Sequence, residues 1–262
     1  MNVVFSRALA VQGRVIWALS LRELIGMHGD TRLGYLWQII KVGFGIAIFW
    51  WIRSIRGFNI PTMLPLPVFL LTGFIPWFIF TEMFKHCMES KRTNHSLLNF
   101  PQITHLDILM GSSVLTVFTH AVIFILYLTL FRFLDIPWEL HNPAAVLFSF
   151  VALCAFGFGL GLILATLNGF FPIVEKLVPM VMRPLFFISG VIWPITRFAA
   201  KGMLEFVLWN PMLHYIDLFR IGFLYPDMPA YPDHTVFFPL SAVVLALGLF
   251  CERFFRRRSP AP

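Results

Sequence analysis

Residues 82–107, EMFKHCMESKRTNHSLLNFPQITHLD, are the longest polar interruption in an otherwise mostly apolar chain. The stretch carries Lys85, Lys91 and Arg92. It then runs into Leu97-Leu98-Asn99-Phe100-Pro101, an apolar patch too short to cross a bilayer. Long apolar segments flank it on both sides. A short, partly apolar helix held just outside a membrane is either a solvated connector or a docking knob for a cytosolic partner. On the second reading, the chain is expected to receive force at this loop and use it across the membrane.

Composition supports the membrane setting. The 262 residues are 58% hydrophobic and only 13% charged, against about 25% charged in an ordinary soluble domain. The chain therefore reads as an all-α polytopic membrane protein. Met1 to Leu21 contains Arg7 and Arg14 and lacks a small-residue cleavage site, so no cleavable signal is expected. Cys87, Cys154 and Cys251 are odd in number and widely spaced, and no disulfide is expected. The net charge of +7 is assigned to cytoplasmic loops, not to a nucleic-acid partner.

Residues 1–32 read as an amphipathic interface helix and a connector. Ser6-Arg7, Gly13-Arg14 and Ser20 recur every seven residues, a narrow polar stripe beside Val4, Phe5, Leu9, Val15 and Trp17. Gly26, Gly29 and Asp30 then break the helix. Residues 33–255 read as a six-span bundle: Leu33–Ile52, Leu66–Phe84 (bent near Gly73 and Pro76), Ile108–Phe131, Ala144–Phe171, Leu177–Ile195 and Val236–Cys251, the last extendable to Phe255. Gly157, Gly159 and Gly161 offer a close helix–helix approach. Residues 256–262 are a tail. The whole is one transmembrane domain.

Six spans put both termini on one side. With the termini inside, thirteen Lys and Arg fall on inner segments and six on outer ones, leaving out Lys41 within a span. The positive-inside rule then places the termini and the 82–107 loop in the cytosol. On the outer side, Met203–Trp209 and Met212–Leu224 are apolar, short and separated by Asn210-Pro211. Thirteen helical residues reach about 20 Å, short of the roughly 30 Å hydrocarbon core. The pair reads as a re-entrant hairpin or as an amphipathic hairpin lying flat on the surface. His214, Asp217 and Arg220 recur every third residue and share one side of the second helix.

Several chemistries are missing from the sequence. It has no G-x-x-x-x-G-K-[ST], so this chain cannot cradle ATP by itself. It has no H-E-x-x-H, Cys-x-x-Cys or G-x-S-x-G, and no metal site or catalytic residue is assigned. Asp135 and Glu139 are the acids available to a membrane-embedded glycan-modifying enzyme, and they look like ordinary loop residues. His120, deep in the third span, reads as an interhelical hydrogen-bonding group. Lys41, with Gln38 one turn before it, either faces a polar interior or snorkels to the inner headgroups.

Taken together, some residues resemble a known family. Leu21-Arg22-Glu23 and Arg32-Leu33-Gly34-Tyr35-Leu36-Trp37 look like the entry to the first span of membrane subunits in ABC-2 type exporters, most of all those for capsular polysaccharide. Pro67-Val68-Phe69-Leu70-Leu71-Thr72-Gly73, Phe171-Pro172 with Glu175-Lys176, Pro184-Leu185-Phe186-Phe187-Ile188-Ser189 and Leu208-Trp209-Asn210-Pro211 fit the same subset, in order, over residues 21–222. Two positions depart from it. Lys41-Val42 stands where members often have an acid and a proline, and the connector before Arg32 is less basic than usual.

The resemblance implies a homodimer bound to two copies of a separate cytosolic ABC ATPase, which would hold the ATP and Mg. This chain would have no cofactor of its own. It implies a lipid-linked polysaccharide substrate, and a periplasmic adaptor and outer-membrane channel beyond. It implies a bacterial inner-membrane permease subunit, not an enzyme. The coupling helix would be residues 94–107, with Ser96, Leu97, Leu98, Asn99, Phe100 and Pro101 against the ATPase. Arg14, Arg22, Arg32, Trp37, Lys41, Phe44, Phe187 and Trp193 are the expected substrate pathway. Residues 203–224, with Trp209, Asn210, Pro211, His214, Asp217 and Arg220, are the expected periplasmic gate. The alternatives are a permease for another lipid-linked glycan, such as an O-antigen or teichoic acid, a membrane-embedded glycan-modifying enzyme, or a stand-alone channel or secondary transporter.

Overall fold

Lipid cannot satisfy backbone N–H and C=O groups, so a chain this apolar must close its hydrogen bonds within helices. The computed structural model describes residues 11–22, 34–56, 64–93, 103–200, 202–224 and 237–255, and the regular structure among them is helical throughout. The order is α1 (11–22), α2 (Gly34–Arg56), α3 (Leu66–Thr93), α4 (His105–Phe133), α5 (Pro143–Phe170), α6 (Val174–Ile188), α7 (Ile195–Ala200), α8 (Leu204–Leu208), α9 (Pro211–Ile221) and α10 (Phe237–Phe255). Among the described residues α3, α4, α5 and α10 are long and apolar enough to cross a membrane, and Leu36–Ile52 of α2 is a shorter apolar segment.

Local chemistry sets the helix starts. Thr104 caps α4 in a capping box: its side chain accepts from the Asp107 amide, and its own amide donates to Asp107 Oδ2 at 2.9 Å. Asn142 caps α5 by accepting from the Ala145 amide, with Pro143 in the first turn. Two sequence boundaries are corrected. α3 runs to Thr93, so residues 85–93 extend the second span as helix; α4 begins at His105, so residues 105–107 of the expected coupling helix are its first turn. The remainder of that helix, residues 94–102, lies outside the described residues, as do Arg32, the connector at 23–31 and the tail.

The bundle is built around α3, which is buried along most of its length. Its Phe74, Trp77, Phe80 and Phe84 fill the centre, and Phe80 stacks on Phe156 of α5 at 5.8 Å. The glycines of α5 serve two neighbours. Gly157 and Gly161 face α3, where a β-carbon on Gly161 would stand 2.9 Å from Cys87 Sγ. Gly159 faces α10, where a β-carbon would stand 2.6 Å from the Leu245 Cα. Small residues let the backbones approach, which is how helices gain packing energy in lipid.

α6 differs from the expected span. It starts at Val174 and ends at Ile188, with Pro179 and Pro184 inside it. Gly190, at φ 74°, then turns the chain, so residues 189–194 are not helical. Left-handed backbone of this kind is cheap only for glycine. In α6 only Val178 is buried.

Candidate functional site

The polar side chains collect at three places. The first is the end of the bundle where α3 leads towards α4. Here α1 docks on the start of α4. Leu19 and Ile108 are buried together, and Ser20 Oγ donates to the Gly111 carbonyl at 2.9 Å. Gln12 Nε2 donates to Asp107 Oδ1 at 3.1 Å, so the acid of the α4 capping box also holds α1. His105 Nδ1 lies 3.7 Å from Glu252 Oε1 near the end of α10. Arg14 and Arg22 stand on the exposed side of α1.

The second place lies between α2, α3 and α4. Lys41 Nζ of α2 is 2.8 Å from Glu82 Oε1 of α3, and Gln38 Nε2 donates to Glu82 Oε2 at 3.4 Å. Lys41 therefore faces a protein partner, and its ammonium sits 4.1 Å from the centre of the Phe78 ring. His120 departs from expectation. Its Nδ1 donates to the Thr116 carbonyl of its own helix at 2.9 Å, so that hydrogen bond is intrahelical; Nε2 is 3.7 Å from Glu82 Oε2. Glu82 is the residue that the sequence alone did not assign. The only signal was an acid sixteen residues into an apolar span.

The expected aromatic pathway residues divide. Trp37 and Phe44 on α2 are 67% and 64% exposed, and Phe187 on α6 is 53% exposed. Trp193 is instead half-buried against the core, with the Arg197 guanidinium 3.7 Å over its ring. Phe187 borders an open cavity of about 610 Å³ between α3 and α6, whose lining mixes Trp77 and Phe186 with Lys85, Glu175 and Arg183.

The third place is the opposite end. Asn210 caps α9, accepting from the Met212 amide at 3.1 Å and donating from Nδ2 to Ser189 Oγ at 2.8 Å. Pro211 takes the first turn. At eleven residues α9 is about 16 Å long, too short to cross. Met212, Leu213, Tyr215, Ile216 and Phe219 are fully buried. The helix packs against α3 and α5, and His214 stacks on Phe237 of α10. It is thus enclosed by protein, as non-spanning backbone at membrane depth must be, and does not lie flat on the surface.

The polar side of α9 is corrected as well. His214 and Arg220 point into protein, not towards an exit, and Asp217 is half-buried. His214 Nε2 contacts the Leu208 carbonyl at 2.8 Å. Arg220 donates to three carbonyls: Gly190 at 2.6 Å, Val191 at 2.8 Å and Phe69 at 3.2 Å. Besides Glu205, the exposed side chains of the hairpin are apolar. Trp209 is 86% exposed, and Phe206 is exposed beside it.

Comparison with known proteins agrees with this architecture. Residues 14–224 match the family model described as ABC-2 type transporter. The chain is similar to the polysialic acid transport protein KpsM of Escherichia coli, 29% identical over 93% of this chain and 95% of the relative. It is similar to the capsule polysaccharide export inner-membrane protein BexB of Haemophilus influenzae, 27% identical over 98% of this chain and 96% of the relative. It is also similar to the capsule polysaccharide export inner-membrane protein CtrC of Neisseria meningitidis, 26% identical over 94% and 92%.

Proposed function

The chain belongs to the ABC-2 type transporter family, and on that premise we propose that it is the permease of an ATP-driven exporter of lipid-linked capsular polysaccharide in the bacterial inner membrane. It works as a homodimer with two copies of a separate ATPase subunit, which binds ATP and Mg. Its termini lie in the cytosol, and a periplasmic adaptor and outer-membrane channel receive the polymer. One observation carries the reading. Relatives matched along nearly their whole length are named for polysialic acid transport or for capsule polysaccharide export.

The geometry supports it physically. Residues 94–102 join the end of α3, the core helix, to the capped start of α4, on which α1 docks. A push on that segment reaches three elements at once. Trp37, Phe44 and Phe187 present aromatic faces outside the packed core, and such faces hold sugars by stacking without anchoring them. Trp209 and Phe206 stand at the other end, where the hairpin gates the exit.

The test is Leu98→Asp with Phe100→Asp. The double variant should insert normally and lose co-purification with the ATPase subunit. A normal yield of complex would sink the coupling reading.

A further inference from the structure

The group between α2, α3 and α4 is unequal in a way that span packing does not require. Of the ion pair, the Glu82 side chain is 13% exposed and the Lys41 side chain 37%. The carboxylate is the buried partner and the ammonium the accessible one. An ammonium has three donors, and Glu82 Oε1 takes one. On α2, Trp37, Lys41 and Phe44 stand at i, i+4 and i+7, so they share one side of the helix, and both aromatics are exposed.

The buried side of Glu82 is closed to an arriving anion. His120 is 1% exposed. Its Nδ1 donates to the Thr116 carbonyl, and its Nε2 lies 3.7 Å from Glu82 Oε2. Neither that nitrogen nor Gln38 Oε1 has a hydrogen-bond partner among the described residues. With His120 buried, Lys41 is the accessible cation of the group and the one an arriving anion can reach. If Lys41 lets go, Glu82 keeps the Gln38 amide.

We propose that Lys41 receives a phosphate group carried on a lipid, and that Glu82 is the placeholder that holds the ammonium until this anion replaces it. The proposal rests on the exporter reading, in which the lipid end of the polymer passes α2. A lysine inside a span must stay paired. Exchange of one anion for another keeps it paired throughout, and the phosphate leaves again when Glu82 returns. The aromatics one turn to either side flank the lipid-to-sugar junction.

The test titrates dioctanoyl phosphatidate onto the full-length permease with its ATPase, reading binding and thermal midpoint. Lys41→Met should weaken binding about tenfold, the scale of one charge-assisted hydrogen bond. Lys41→Arg should retain it, and Glu82→Gln, by removing the competitor, should tighten it. The double variant Lys41→Glu with Glu82→Lys decides the matter even if Glu82→Gln does not fold. It should restore the midpoint, because the pair is rebuilt, and still fail to bind. A double variant that regains both, or Lys41→Met binding like the wild type, overturns the proposal. Inorganic phosphate competing as well as phosphatidate would overturn the lipid-borne source, with dioctanoyl phosphatidylcholine as the uncharged control. Should no ATPase co-purify, the exporter reading falls, and the same titration on the permease alone still decides Lys41.

Discussion

Arg220 and Gly73 share one contact: a β-carbon on Gly73 would stand 2.6 Å from Arg220 Nη2. α3 is one helix from Leu66 to Thr93 that includes Gly73 and Pro76, and the glycine leaves room for the guanidinium of α9. That group lies 3.7 Å over the Phe69 ring and reaches carbonyls of α3 and of the turn after α6. One planar fork thus ties three elements, as a point-charge lysine could not.

Arg220→Met should therefore lower the thermal midpoint of the detergent-purified permease sharply. Carbonyls of Gly190 and Val191 lose their donor, at about 1–3 kcal/mol for each group left unsatisfied. Arg220→Lys should recover part of the loss and not all of it. A midpoint unchanged in Arg220→Met would show that the three-way tie contributes nothing.

The hairpin should move unevenly. Cysteine at Tyr215 or Ile216, both fully buried, should resist a membrane-impermeant maleimide whether or not the ATPase turns over. Cysteine at Phe206 or Trp209 should label at a rate that changes with ATP turnover, because α8 is short and its Phe206 and the adjoining Trp209 are exposed. Labelling at Phe206 and Trp209 that is independent of nucleotide would refute a gate.

Arg14 and Arg22 on the exposed side of α1, with Arg32, should hold the anionic end of the substrate at the cytosolic mouth. Arginine gives phosphate two parallel hydrogen bonds, where lysine gives a point charge. Changing all three to lysine keeps the charge and the topology, and export of polymer in cells should fall. Full export from that variant would leave these residues as topology signals alone.

Features that depend on length and local bonding were legible in the sequence. Long apolar runs had to be helices, since lipid leaves the backbone no other partner. Asn210-Pro211 had to break one, because proline brings no amide hydrogen and asparagine caps the next helix. Gly157, Gly159 and Gly161 had to mark close contacts, though not with which helix. Partnerships across the bundle were decided only in three dimensions. Lys41 and Glu82 are 41 residues apart, and Arg220 and Phe69 are 151 apart. Periodicity reports which side of a helix a residue occupies, but not what packs there. For that reason the polar side of α9 read as an exit, while the fold turns it inward onto carbonyls that the turn at Gly190 leaves without helical partners.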